Sequence, residues 1–252
     1  MQKRLPLVLS AKAATFRAQD ANAESADAEF QHVRPKVLAR DDHACRFCGF
    51  RDKGTYIQVH HRDDDHSNNR MDNLVTACIH CHAVHHIGLW GVWDEAVLIY
   101  LPEIEQWQLS HILRSLLVAE HFPAKLASAQ VPVGADKLEA ANRIRNAARV
   151  TMGKLLERTK MAEDILGTSS PRVLGNVMPA IPDALYETRH ERLGGIRLLL
   201  TGIHKRGQGG ADIFQTVALG WMDRTKDRSG PFAGLLPQEW AGLASRNQPR
   251  HA

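Results

Sequence analysis

Cysteine is scarce in this 252-residue chain: there are four, and their spacing leaves none over. That scarcity excludes a small disulfide-built secreted scaffold and favours a reducing compartment. Long apolar runs are also missing. No stretch approaches the roughly 20 residues that span a bilayer. Residues 1–10 place basic side chains before a few apolar ones, but Pro6 breaks the run and leaves it too short for the apolar core of a signal peptide. A cytoplasmic protein is expected. Strong charge of either sign is absent as well. The formal charge of +4 permits an acidic partner without demanding nucleic acid. Internal repeats are not seen. At 44% hydrophobic and 24% charged residues, the chain has the make-up of an ordinary globular protein, long enough for one large or two small domains.

Residues 43–86 hold what chemistry there is. All four cysteines lie there, as two Cys-x2-Cys pairs (Cys45/Cys48 and Cys78/Cys81) with 29 residues between them. Eight of the fourteen histidines lie there too: His43, His60, His61, His66, His80, His82, His85 and His86. Two such cysteine pairs read as a closed tetrahedral zinc site, each pair gripping the ion through a tight knuckle. The competing reading, four buried or disulfide-bonded cysteines, has to treat two matched pairs as coincidence. Gly49 falls where the chain must turn sharply behind Cys48.

Around the knuckles, residues 5–9 suit a short strand. Phe30, Val33, Val37 and Leu38 follow helical spacing, with Pro35 near the start of that helix. Residues 55–60 are rich in β-formers and predict a strand ending on the histidine pair. Asp63, Asp64 and Asp65 open a polar loop. Asp72 is expected to cap a helix through Leu74 and Val75 to the second knuckle, and a further helix starts within residues 82–87. Residues 96–101 form another strand, stopped by Pro102. The remainder alternates helical patterns with breakers: residues 107–122, then 136–166 with a possible break at Gly153, then 212–224, with 196–200 open between strand and short helix. The fold class is therefore α+β, a zinc module followed by a mostly α-helical C-terminal region. The expected divisions are 1–105, 106–225 and a loosely ordered tail over 226–252.

Along that segment His60 and His61 are adjacent, Asn73 follows twelve residues after His61, His82 nine further on, and His86 four beyond. This pattern resembles the HNH (ββα-metal) nuclease motif. The resemblance implies that His60, His82 and His86 bind a catalytic divalent cation (Mg2+, Mn2+, Ni2+ or Zn2+) in addition to the structural zinc. It also makes His61 the general base on water and Asn73 the residue that orients it. Residues i and i+4 share a helix face, so His82 and His86 can meet one ion, and an imidazole suits a base near neutral pH. The bland alternative is that the cysteines alone hold the unit and the histidines are scaffold. Likewise, the three aspartates are by default a solvated loop, and the basic residues of 143–160 a solvated helix face.

Three phrases narrow the family: Cys45-Arg46-Phe47-Cys48-Gly49-Phe50; Asn68-Asn69-Arg70-Met71-Asp72-Asn73-Leu74-Val75-Thr76-Ala77-Cys78; and Leu98-Ile99-Tyr100-Leu101-Pro102-Glu103. Over residues 35–105 the chain is similar to the IcmJ/DotN proteins of type IVB secretion systems. That resemblance implies an HNH-like fold with structural zinc, and a subunit of the coupling complex at the inner face of the inner membrane, reached through a coupling ATPase. It does not imply cleavage of DNA. The secretion-adapted members lack the histidine pair and the helix histidines, whereas His60, His61, His82 and His86 are all present here. A conjugation-type system whose cargo includes DNA reconciles the two resemblances.

Overall fold

The computed structural model describes residues 3–11, 23–52, 56–63, 65, 67–128, 134–205 and 210–223. The tail expected over 226–252, and Asp64 and His66 of the polar loop, lie outside these residues. The chain is mixed α/β with two small antiparallel sheets. It divides into two compact units, one from residues 1–111 and 158–201, the other from 112–157 and 202–252.

In the first unit, α1 (Ala23–Arg40) precedes the first knuckle. Pro35 sits inside this helix rather than near its start. Both Pro35 and Gln31 are exposed, so the carbonyl deprived of its helical N–H partner faces water. Strand β1 (Ile57–His61) pairs antiparallel with β2 (Leu74–Cys78), with Ile57 opposite Cys78 and His61 opposite Leu74. The stretch from Leu74 is thus a strand, not the helix expected from Asp72. Every residue of β2 is buried, and Val75 and Thr76 are β-branched. A short apolar run covered on both faces carries no alternation to mark it as a strand.

After the second knuckle the chain turns into α2 (Ile79–Val84), breaks at His85–His86, and resumes as α3 (Ile87–Val92). Residues 5–9 form no strand. Leu5 donates its backbone N–H to the Arg46 carbonyl at 2.9 Å, and Leu5 and Leu7 pack against the core of the cysteine module. This core joins Val37 and Leu38 of α1, Phe47 of the knuckle, Ile57 and Val59 of β1 and Leu74 of β2 with the four cysteines.

The second sheet pairs β3 (Ala96–Tyr100) with β4 (Ile196–Leu200), about a hundred residues apart in sequence. The outer edge of β3 is covered: Leu98 donates to the Ser169 carbonyl (2.8 Å) and Tyr100 to the Arg158 carbonyl (3.2 Å). Those two positions flank α6 (Thr159–Leu166). On β4, the Gln106 side chain stands in for a neighbouring strand, accepting from the Leu198 N–H (2.8 Å) and donating to its carbonyl (3.0 Å). Both edges are thereby closed to further pairing. Helix α7 (Pro171–Val177) crosses α3 with glycine against glycine, Gly88 facing Gly175.

The second unit contains most of α4 (Gln106–Ala127), together with α5 (Ala135–Glu157) and α10 (Ile213–Trp221), the last capped by the Asp212 side chain. The helical stretch breaks at Arg158, whose carbonyl is engaged by β3, and not at Gly153, which lies within α5. Short helices α8 (Asp183–Glu187) and α9 (Arg189–Arg192) belong to the first unit. No helix among the described residues is long and apolar enough to cross a membrane.

Candidate metal centre

The two knuckles meet. Cys45 and Cys48 come from the turn after α1, Cys78 from the end of β2 and Cys81 from the first turn of α2. Their four Sγ atoms lie within 4.8 Å of one another, and all four side chains are buried. Cys48 Sγ and Cys78 Sγ are 3.7 Å apart. A disulfide needs about 2.05 Å. Two sulfurs about 2.3 Å from one tetrahedral ion stand about 3.8 Å apart, so the spacing is that of ligands sharing a metal.

The local fold explains the convergence. Gly49 takes φ 80° and donates its N–H to the Cys45 carbonyl, closing the first knuckle, while Cys45 donates to the Phe50 carbonyl. His111 Nε2 meets the Cys48 carbonyl at 3.0 Å, and Ser110 Oγ lies 3.7 Å from Cys81 Sγ. The donor set fits a soft cation. Burial pushes the Cys45 and Cys81 thiols well up. At Cys78 burial also raises the pKa, but hydrogen bonds from Cys45 and Cys81 outweigh it and bring the thiol down to about 6. Four adjacent buried thiolates require a positive ion among them.

Asp41 ties the module together. Its carboxylate is fully buried, accepts two hydrogen bonds from Arg40 at 2.9 Å and a third from the Thr76 N–H at 2.9 Å, and faces Arg46 at 3.4 Å. Burial opposes its ionisation, but the Arg40 hydrogen bond and the Thr76 contacts outweigh this and leave its pKa below the ordinary value. Arg40 in turn holds the Leu74 carbonyl at 2.8 Å.

Beside the cysteines, His60, His82 and His86 also bring one ring nitrogen each to within 4.8 Å of the others. His82 Nε2 and His86 Nε2 are 3.2 Å apart. That matches the roughly 3.3 Å separation of two nitrogens each bound about 2.05 Å from a shared tetrahedral metal. The strand end supplies His60, α2 supplies His82, and His86 caps α3. Phe47, between the knuckle cysteines, packs on both His60 and His85, so the two clusters share a wall. His85, given no role by spacing, stacks on His60 with ring centroids 4.0 Å apart.

His61 is 2% exposed and stacks on Phe30 of α1 at 5.3 Å. Its Nε2 pairs with Asn69 Oδ1 at 2.9 Å. Asn73 ties the polar loop, donating to Asp63 Oδ1 (2.8 Å) and the Asn68 carbonyl (2.9 Å) and accepting from the Asp63 N–H. Asp63 also accepts from Asn68 and the Asp65 N–H, and these bonds, outweighing its partial burial, hold its pKa low. The sequence reading gave no role to Asn69, Glu29, His85 or Asp41, although His85 is among the eight histidines of the segment and Asn69 lies inside one of the three family-like phrases.

No family model matches the chain. It is 36% identical over 121 residues, 47% of its length, to the "Type 4 apparatus protein DotN" of Legionella pneumophila subsp. pneumophila. The matched stretch spans about half of that relative, 55% of its length.

Proposed function

We propose that this chain is a zinc-held subunit of a type IV secretion apparatus, of the IcmJ/DotN kind. The similarity to DotN over about half the chain carries the reading, and four converging cysteines able to hold an ion such as zinc support it. On this reading the β1–β2 pair with α2 is an HNH-like ββα-metal module used as a scaffold. The protein sits in the cytoplasm against the inner membrane, through the coupling ATPase of a type IVB secretion or conjugation system. Co-expression with the cytoplasmic part of the coupling ATPase from the same type IV system tests it. A stable complex on gel filtration is expected, lost in Cys45→Ser/Cys78→Ser. Separate elution of two folded proteins contradicts it.

The histidine cluster favours a second, compatible reading: hydrolysis of DNA phosphodiesters. His60, His82 and His86 would hold a divalent cation, which would supply Lewis-acid stabilisation of charge on a phosphodiester oxygen. His61, next along β1, takes the proton from attacking water, and Asn73 holds the loop that carries its partner. Purified protein with Mg2+, Mn2+, Ni2+ or Zn2+ is expected to nick plasmid DNA, and His61→Ala to abolish nicking. Intact plasmid under all four ions refutes this second reading and leaves the first standing.

A further inference from the structure

We infer that Asn69 and Glu29 are positioning residues that fix the tautomer of His61, so that the candidate site extends onto α1. The argument for their role in chemistry rests on the hydrolytic reading; the argument for the tautomer does not. His61 Nε2 stands 2.9 Å from Asn69 Oδ1, and Asn69 Nδ2 stands 3.3 Å from Glu29 Oε2. An amide presents an acceptor on one side and donors on the other, whereas a carboxylate only accepts. Glu29 therefore selects the amide orientation. With Nδ2 turned to the carboxylate, Oδ1 faces the imidazole. Flipping the amide would set two acceptors, Oδ1 and the carboxylate, against each other.

Against Oδ1, Nε2 of His61 must be the donor. The proton is on Nε2, and the lone pair of the neutral ring is on Nδ1. Phe30, the next residue of α1 after Glu29, stacks on the ring with an interplanar angle of 29°, which fixes its plane as the amide fixes its protons. Asn69 is 4% exposed and His61 2%, so water competes little for the hydrogen bond between them. Asn73 acts one step back, by anchoring the Asn68 carbonyl beside Asn69. The arrangement hands a base its basic nitrogen in a single, defined position: Nδ1, on the side of the ring away from Asn69.

Ring nitrogen NMR on the full-length, zinc-loaded protein at a pH where His61 is neutral tests this directly. The His61 signals are assigned by their loss in His61→Gln. Wild type is expected to show the Nε2–H tautomer alone. Glu29→Gln, whose side chain both donates and accepts, removes the selection and populates both tautomers. Glu29→Gln with Asn69→Asp restores Nε2–H, because a carboxylate at position 69 only accepts. A merely structural role for either residue does not predict loss followed by rescue. Nδ1–H in wild type, or a tautomer unmoved by Glu29→Gln, overturns the proposal. In the plasmid assay, equal population of two tautomers lowers the nicking rate about two-fold in Glu29→Gln. If wild type nicks no DNA, the hydrolytic reading fails while the NMR result still decides the tautomer.

Discussion

Substituting the glycines where α3 meets α7 should give opposite results at neighbouring positions. A Cβ on Gly91 would stand 2.2 Å from the Arg172 nitrogen and 2.7 Å from its Cα. A Cβ on Gly88 would meet Gly175 Cα at 3.6 Å, an ordinary contact. Both positions lie inside α3, so alanine brings each the same gain in helix propensity, up to about 1 kcal/mol. Only Gly91→Ala drives side chain into backbone, short of ordinary contact by about 1.2 Å, and such overpacking typically costs ~1–3 kcal/mol. Neither backbone can yield without separating the helices. Gly88→Ala is therefore expected to be neutral to stabilising, and Gly91→Ala to be less stable than it by about 1–3 kcal/mol. Urea unfolding of zinc-loaded protein measures the difference, with tryptophan fluorescence, to which Trp90 and Trp93 on either side of Gly91 contribute, as the signal. Because His86 stands at the N-cap position, where α3 begins, Gly91→Ala should also loosen the histidine cluster and weaken its binding of a second ion. Equal stability of the two variants would refute the packing argument.

Two further outcomes follow from buried charge. Asp41→Asn keeps the shape but removes the charge that faces Arg40 and Arg46. It should destabilise the zinc-loaded protein at neutral pH by about 1–3 kcal/mol, the cost discounted because Arg40 is one third exposed. A change within error in chemical denaturation would mean the cluster contributes nothing net. His121, in α4, has its pKa lowered below 6.5 chiefly by burial. The unfolded chain therefore takes up the proton first, and stability attributable to this group is present above pH 6.5 and falls as pH drops below it. His121→Phe should flatten that part of a stability–pH profile measured above the pH at which zinc is lost; an unchanged slope contradicts it.

The convergence of the candidate ligands was legible because ligand spacing is local. Cys-x2-Cys specifies a knuckle within a few residues, whereas His82 and His86, expected on one helix face, meet across the break between α2 and α3; the structure brings both ligand sets together. Strands β1 and β3 were legible from β-branched runs. What sequence could not supply depends on distant partners. Residues 74–78 read as helix because nothing local says that both faces are covered. Residues 5–9 carry a strand pattern but dock on the knuckle by one backbone bond to Arg46. The segment 196–200 became a strand only by pairing with β3, and the helix break falls at Arg158 because β3 engages its carbonyl. The partner of His61 turned on Glu29 and Asn69, forty residues apart, for which no spacing rule exists.

Four sulfurs on one ion are the premise for the whole knuckle-and-strand module. Zinc content and zinc K-edge X-ray absorption, taken on a His60→Ala/His82→Ala variant so that no second site contributes, test it most directly. One zinc per chain with four sulfur neighbours at about 2.3 Å is the expected result. A folded protein without zinc, or an ion whose shell mixes in nitrogen or oxygen, would contradict it.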